Sequence, residues 1–104
     1  MIITGGENVY PSEVESALGA MPAVKDVAVV GVAHPKWGEA VHAVVVLKEG
    51  QSATGEEVRA WCKARLAGFK CPTSVSFIAD ADMPRTATGK IQHRLLKAQL
   101  STSG

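Results

Sequence analysis

The run VAVVGVAHPKWGEAVHAVVVLK, residues 27–48, says more about the architecture of this chain than any other part. Residues 27–32 are nearly all β-branched or small, a composition that favours a buried strand. Over residues 41–48 both alternating sets are mostly apolar, which predicts a second strand covered at least partly on both faces. The turn between them, residues 34–38, is short enough for the two strands to pair antiparallel.

Upstream of this run, the sequence predicts a short strand and a helix. Residues 1–4 form an apolar segment that breaks at the glycine pair 5–6. Pro11 suits the first position of a helix, and Ser12 with Glu15 has the spacing of a capping box. The apolar face of this helix recurs at i, i+3, i+4 and i+7, in Val14, Ala17, Leu18 and Met21.

Downstream, the pattern predicts a helix, a strand and a final helix. Thr54 and Glu57 form a second capping box, and the helix it starts ends near Gly68. Its expected buried stripe is Val58, Trp61, Cys62 and Leu66. Alternation of Val75, Phe77 and Ala79 indicates a third strand, and the spacing of Ile91, Leu95 and Ala98 indicates the last helix.

The element order is therefore β-α-β-β-α-β-α, which predicts an α+β fold. We expect a small, mostly antiparallel three-stranded sheet plus a short N-terminal strand, flanked by about three helices. The 104 residues fit one domain, which we place at residues 1–100, with residues 101–104 as a flexible tail.

Composition excludes several classes of function. The net charge of +1 gives no global field for nucleic-acid or membrane binding, and no apolar run reaches the ~20 residues of a transmembrane helix. The first residues lack the basic and apolar regions of a signal peptide, so we expect none, and the sequence has no ligand spacing typical of zinc. We interpret Cys62 and Cys71 as free thiols in a reducing cytoplasm, while a bridge between them stays open from sequence alone.

The stretch PRTATGK, residues 84–90, precedes the last helix as an irregular loop. Lys90 falls in or just before the first helical turn, where the helix dipole disfavours a cation by up to about 1 kcal/mol. Gly89 and the hydroxyls of Thr86 and Thr88 suit a side chain that is presented to an anion. The alternative is an ordinary solvated surface charge.

Four short blocks resemble the C-terminal part of the adenylate-forming enzymes. These blocks are MIITGGENVYPSEVE (1–15), HPKWGE (34–39), FKCP (69–72) and PRTATGK (84–90) with the basic, apolar helix after it. They follow the family's order at compatible spacing across residues 1 to about 97. The superfamily contains acyl-CoA synthetases, peptide-synthetase adenylation domains and luciferases, and the first block is most similar to fatty-acid and aryl-CoA ligases.

The resemblance assigns roles by position. Lys90 matches the lysine that acts in adenylation, with Arg85 and Thr86 shaping its loop. Gly5 and Gly6 match glycines that line the pantetheine tunnel, where Glu7 belongs to the same face; a tight turn is the alternative. Trp37 and Phe69 match positions that contact the CoA nucleotide, with Lys70 nearby for phosphate, although core packing is an equal reading for Trp37.

The resemblance also implies substrates and a partner. ATP and coenzyme A are expected as substrates, with Mg²⁺ accompanying ATP in the full-length enzyme rather than bound here. The chain has no Gly-rich phosphate loop or acyl pocket, which in the family belong to a larger N-terminal adenylate-binding domain. We therefore expect a fragment that is inactive alone. The alternative is a stand-alone module that binds or regulates an acyl-activating partner.

Overall fold

A five-stranded sheet runs through the middle of the computed structural model, which describes residues 1–102. The strands are β1 (Ile2–Thr4), β2 (Glu7–Val9), β3 (Val24–His34), β4 (Gly38–Leu47) and β5 (Ser74–Phe77). The helices are α1 (Pro11–Gly19), α2 (Gly55–Lys63) and α3 (His93–Thr102), with short 3₁₀ turns at Gly68–Lys70 and Asp80–Asp82. The α+β class is confirmed, with one strand more than predicted.

The antiparallel pair β3–β4 is the backbone of the sheet, as residues 27–48 predict. Its register runs from Val24 opposite Leu47 to His34 opposite Gly38, with one irregularity between Val24 and Asp26. Both strands extend beyond the predicted runs. The valines of this pair lie in apolar layers on both faces of the sheet, as their β-branched side chains favour.

The strand β2 was not predicted. Residues 1–10 fold into a hairpin in which β1 pairs with β2 across a two-residue turn at Gly5 and Gly6. Both glycines have positive φ, +56° and +85°, which side chains with a Cβ rarely adopt. A three-residue strand is too short to show an alternation of apolar and polar residues, so the sequence pattern did not indicate β2.

The strand β5 pairs with β4 in parallel, from His42 opposite Ser74 to Val45 opposite Phe77. A parallel pair needs a long crossover connection, which here contains α2. The predicted alternation is only partly right: Val75 packs against the core, but Phe77 is 38% exposed and Ala79 lies beyond the strand.

Helices cover both faces of the sheet. On one face, Val14 and Leu18 of α1 and Val58 and Cys62 of α2 are fully buried. Cys62 and Cys71 are both buried free thiols. On the other face, Met83 and Leu96 close a second apolar layer over β3 and β4.

The start and the buried face of α3 differ from the prediction. Ile91 forms an extended bridge with Arg85, so the helix begins at His93. This later start places Leu96 in the core at 3% exposure and leaves Leu95 49% exposed. The helix continues to Thr102, and residues 103 and 104 of the predicted tail lie outside the described residues.

Helix capping matches the prediction at α2 and differs at α1. Thr54 and Glu57 form the predicted capping box, although α2 ends at Lys63 and leaves Leu66 in the following turn. The capping box at Ser12 is wrong: Tyr10 is the N-cap, without a side-chain hydrogen bond, and Pro11 follows at the first turn. Among residues 1–102, no helix has both the length and the apolar character to span a membrane.

Candidate functional site

Residues 84–92, here called the lysine loop, form a small closed turn before α3. Arg85 bridges to Ile91 at its base, and the Thr86 amide donates to the Lys90 carbonyl at 2.8 Å. The Gly89 amide donates to the Thr86 carbonyl at 2.9 Å, and Gly89 has φ of +92°. The backbone around Lys90 is therefore fixed by its own hydrogen bonds.

The Lys90 side chain, in contrast, is exposed and makes no hydrogen bond or ion pair with any residue the structure describes. The Thr86 hydroxyl accepts the Lys90 amide at 3.2 Å and lies 3.0 Å from the Thr88 hydroxyl. The threonines thus hold the backbone of Lys90. Lys90 precedes the helix by three residues, and the dipole effect fades within the first turn, so the expected conflict with the dipole is weak.

Arg85 anchors the lysine loop to the rest of the domain. Its guanidinium lies 2.6 Å from Asp26 Oδ2 on β3 and 2.9 Å from Asp80 Oδ1 in the preceding 3₁₀ turn. The hydrogen bond to Asp26, with Asp80 adding to it, raises the pKa of Arg85. The pKa of Asp80 is lowered, first by the hydrogen bond from Lys25 and then by Arg85. The predicted role of Arg85 in shaping this loop has a geometric basis here.

A second candidate site is a groove of about 300 Å³ between the β1–β2 hairpin and the Gly68–Lys70 turn. We call it the aromatic groove. It is lined by Thr4, Gly5, Glu7, Trp37, Val41, Gly68, Phe69, Cys71 and Thr73. The fold therefore brings together Gly5, Glu7, Trp37 and Phe69, which are separated along the chain.

Trp37 forms one wall of this groove. It is 38% exposed and stacks on His34 with ring centroids 4.2 Å apart, so it is not a core residue. His34 Nδ1 accepts the amides of Lys36 and Trp37, each at 3.1 Å, which fixes the turn. The Gly5 amide donates to the Trp37 carbonyl at 3.0 Å, joining the hairpin to this wall.

Gly6 and Lys70 belong to this region without lining the groove. Gly6 lies at the exposed tip of the hairpin turn, where a Cβ would meet nothing within 4 Å. Lys70 Nζ forms an ion pair with Glu13 at 2.8 Å, so it is already partnered. Cys71, 3% exposed, is a lining residue that sequence reasoning did not select, as are Val41 and Thr73.

The two candidate sites are separate. None of the residues that line the aromatic groove belongs to the lysine loop, because one site is built on the N-terminal hairpin and the other on the approach to α3. Trp61 belongs to neither site. It packs against the core as predicted, and its indole N–H donates to the Ala17 carbonyl at 2.7 Å.

Two histidines have partners that the sequence did not reveal. His93, whose side chain is 43% exposed, lies 2.6 Å from Glu15 Oε2, which also accepts the Val29 amide at 2.8 Å. His42 lies within β4 between the hydroxyls of Ser74 and Ser76, at 2.6 and 2.9 Å. Burial lowers the pKa of His42. These contacts join residues 14 to 78 positions apart, beyond the reach of local pattern.

Comparison with known proteins defines the class of this domain. Residues 13–90 match the family of the AMP-binding enzyme C-terminal domain, and the chain belongs to that family. It is 50% identical over 91 residues to a feruloyl-CoA synthase of Amycolatopsis sp, covering 88% of this chain and 18% of the relative. It is 44% identical over 104 residues to a 4-chlorobenzoate–CoA ligase of Pseudomonas sp. strain CBS-3, covering 99% of this chain and 19% of the relative.

Solved structures agree with this assignment. A Mycobacterium tuberculosis fatty acyl CoA synthetase superposes with a TM-score of 0.90 at 42% identity, covering 99% of this chain and 20% of that one. An o-succinylbenzoate CoA synthetase of Bacillus subtilis in complex with its acyl-adenylate intermediate gives a TM-score of 0.84 at 41% identity, covering 92% and 19%. The chain thus spans about a fifth of the length of the proteins it matches.

Proposed function

We propose that this chain supplies the C-terminal domain of an ATP-dependent, AMP-forming acyl-CoA synthetase acting on a fatty or aryl carboxylic acid. Its partner is a larger adenylate-binding domain of the same enzyme, in line with the small share of each relative that it covers. Lys90 serves acyl-adenylate formation, and the aromatic groove serves the reaction with coenzyme A. The cytoplasm stays the location we infer from sequence.

The observation that carries this proposal is an unpartnered lysine on a fixed backbone. In the first half-reaction a carboxylate attacks the α-phosphate of ATP and displaces pyrophosphate, so two anions approach each other. A preorganised cation offsets this repulsion and stabilises the charge that develops on the phosphate. One unit charge at ~4 Å and an effective dielectric near 20 interacts by about 4 kcal/mol, roughly a thousandfold in rate.

The aromatic groove has the features that a thiol-bearing nucleotide requires. Trp37 and Phe69 expose 38% and 43% of their area, enough to stack with an adenine ring. Gly5 and Gly6 have no Cβ, so a narrow pantetheine arm can pass close to their backbone. Lys70 would contact a CoA phosphate by exchanging its ion pair with Glu13, whose carboxylate is 42% exposed.

In this proposal Mg²⁺ is bound outside this domain. Within residues 1–102 no cluster of His, Cys, Asp or Glu is suited to hold a metal ion. We place the Mg²⁺ that accompanies ATP in the larger domain, where it would neutralise the phosphates. This domain contributes a lysine and a groove.

The test compares the 104-residue chain with the full-length enzyme that contains it. The chain alone should unfold cooperatively on heating, because it has two apolar layers, and should form no acyl-CoA from ATP, CoA and a panel of fatty and aryl acids. The full-length enzyme should form acyl-CoA, AMP and pyrophosphate from at least one of these acids. Turnover by the isolated chain, or no acyl-CoA from the full-length enzyme, would contradict the proposal.

A further inference from the structure

Glu39 stands at a junction between three elements. It is the second residue of β4, its side chain is 28% exposed, and its two carboxylate oxygens have different partners. Oε1 accepts the backbone amide of Ile3 on β1 at 3.0 Å. Oε2 accepts Lys97 Nζ on α3 at 3.0 Å. One side chain thus links the hairpin, the sheet and the last helix.

We propose that Glu39 is the positioning residue of the β1–β2 hairpin, and that it holds Gly5 and Gly6 in place for the reaction with CoA. The role in that reaction rests on the proposed function; the positioning itself does not. Glu39 acts through the hairpin and contacts no reacting atom.

Few bonds attach the hairpin to the sheet. β1 pairs with β4 in a single register position, Thr4 opposite Gly38. At the next position Ile3 donates its amide to the Glu39 side chain, where a longer ladder would use a backbone carbonyl. Buried Ile2 and Val9 fix the hairpin on its apolar side. Its polar attachment at this edge consists of the bond from the Gly5 amide to the Trp37 carbonyl and the bond from Ile3 to Glu39.

Gly31 on the neighbouring strand leaves space for the Glu39 carboxylate. A Cβ at Gly31 would lie 2.5 Å from Glu39 Oε2 and 3.1 Å from Ile2 Cγ2. The φ of Gly31 lies outside the left-handed region, so a Cβ there would be opposed by space and not by backbone conformation, and the Glu39 carboxylate would have to move to admit it. The neighbouring strand is therefore shaped to admit this carboxylate.

The negative charge of Glu39 strengthens this attachment. The amide of Ile3, with Lys97 adding to it, lowers the pKa of Glu39 below its ordinary value although burial acts in the opposite direction. The carboxylate is thus ionised at neutral pH, and hydrogen bonds to ionised groups are stronger than those between neutral groups. A charged acceptor suits the attachment of a hairpin with only three residues in each strand.

The first experiment measures hydrogen exchange of the Ile3 amide in the 104-residue chain. Glu39→Ala removes both contacts and should speed exchange by roughly tenfold or more, the scale of a hydrogen bond to a charged group. Glu39→Gln keeps an acceptor for Ile3 and should stay within about threefold of wild type, because a neutral acceptor retains part of that bond. Gly31→Ala, which crowds the carboxylate without removing it, should resemble Glu39→Ala and serves if that variant does not fold.

The second experiment follows each half-reaction in the full-length enzyme. Glu39→Ala should slow thioester formation from supplied acyl-adenylate about tenfold, leave acyl-adenylate formation unchanged, and be largely rescued by Glu39→Gln. Glu49→Ala, at an exposed loop carboxylate, is the control that should change neither half-reaction. Unchanged Ile3 exchange in both Glu39→Ala and Gly31→Ala, or equal loss of both half-reactions, would overturn the proposal. A wild-type enzyme without thioester activity would refute the proposed function and leave the exchange result standing.

Discussion

The β1–β2 hairpin and the lysine loop both present exposed, glycine-containing turns, yet they are held in different ways. The hairpin is attached through buried Ile2 and Val9, a backbone bond from Gly5 to the Trp37 carbonyl, and one bond to the Glu39 carboxylate. The lysine loop is attached through the ion pairs of the Arg85 guanidinium with two aspartates, and partly buried Ile91 packs against the second apolar layer. The first attachment is mostly apolar and the second mostly ionic.

This difference suits the two reactions proposed for them. A groove that binds a ligand must keep its shape. Apolar packing holds that shape because densely packed side chains tolerate few other arrangements. A single cation must be placed at a point, and the planar guanidinium of Arg85 fixes the loop that carries it by contacting Asp26 and Asp80 at the same time. Mutations in the hairpin should therefore slow thioester formation, and mutations in the lysine loop should slow acyl-adenylate formation.

The largest expected effect separates the regions directly. In the full-length enzyme Lys90→Ala should slow acyl-adenylate formation by roughly two to three decades, because one preorganised charge is lost. Thioester formation from supplied acyl-adenylate should survive, and stability should hardly change since the side chain is exposed. Single-turnover kinetics of each half-reaction measures both. Lys63→Ala, at an exposed lysine in α2, is the control, and a normal adenylation rate in Lys90→Ala would leave Lys90 an ordinary surface charge.

The next effect concerns the ionic attachment. Arg85→Ala should lower the unfolding temperature and slow acyl-adenylate formation by roughly ten- to a hundredfold, the cost of misplacing a catalytic group. Arg85→Lys should recover part of the stability and part of the adenylation rate. An ammonium can pair with one aspartate but cannot reproduce the planar donor set of the guanidinium. If Arg85→Ala slowed thioester formation as much as acyl-adenylate formation, the two regions would not serve separate half-reactions.

A smaller effect tests the hairpin turn. Gly6→Leu should lower stability by about 1–2 kcal/mol, because Leu disfavours the φ of +85° found there. It should also slow thioester formation roughly tenfold, equivalent to about 1.4 kcal/mol, while sparing pyrophosphate exchange. Gly50→Leu, with φ of +76° and open space in a different loop, is the matched control. Gly50→Leu should lower stability by a similar amount and slow neither half-reaction. If Gly6→Leu slowed both half-reactions equally, the hairpin turn could not be assigned to the reaction with CoA.

The smallest effect concerns the sheet that both regions share. The pKa of His42 is lowered in the fold, so the unfolded chain binds more protons as the pH falls below its ordinary value of 6.5. Its contribution to stability is therefore complete above pH 6.5 and is lost as the pH falls below it. Denaturant unfolding of wild type and His42→Gln between pH 7.5 and 5, roughly the range of histidine titration, measures the difference.

Two carboxylates lose their contributions to stability at lower pH, so they do not interfere with the measurement on His42. The pKa values of Glu39 and Asp80 are lowered from 4.5 and 3.8, so their stabilisation is lost only below those values. An equal slope in His42→Gln and wild type between pH 7.5 and 5 would show that another group governs this range.

Sequence predicted what is decided locally. The capping box of Thr54 and Glu57 involves residues three apart, and it formed as expected. Glu15 has the same spacing from Ser12, but its carboxylate is bound by Val29 and His93, partners that only the folded chain brings near. The final helix was shifted because Ile91 continues its apolar stripe in sequence while its backbone pairs with Arg85.

The candidate sites show the same limit. The resemblance named Gly5, Glu7, Trp37 and Phe69, and the fold places all four around one groove. It could not show that Lys70 is paired with Glu13, nor that Cys71 lines the groove, since both depend on how α1 and the turn before β5 pack. The roles of these residues in catalysis stay predictions.

The carboxylate of Glu15 has one more consequence. β3 is the terminal strand of its sheet, and terminal strands invite pairing with a second molecule. Two of its amides are already taken: Val29 donates to Glu15, and Val27 donates to the neighbouring Asp26. An approaching strand would meet occupied donors and two carboxylates. We therefore expect the contact that ties α1 to α3 to disfavour strand-to-strand aggregation as well.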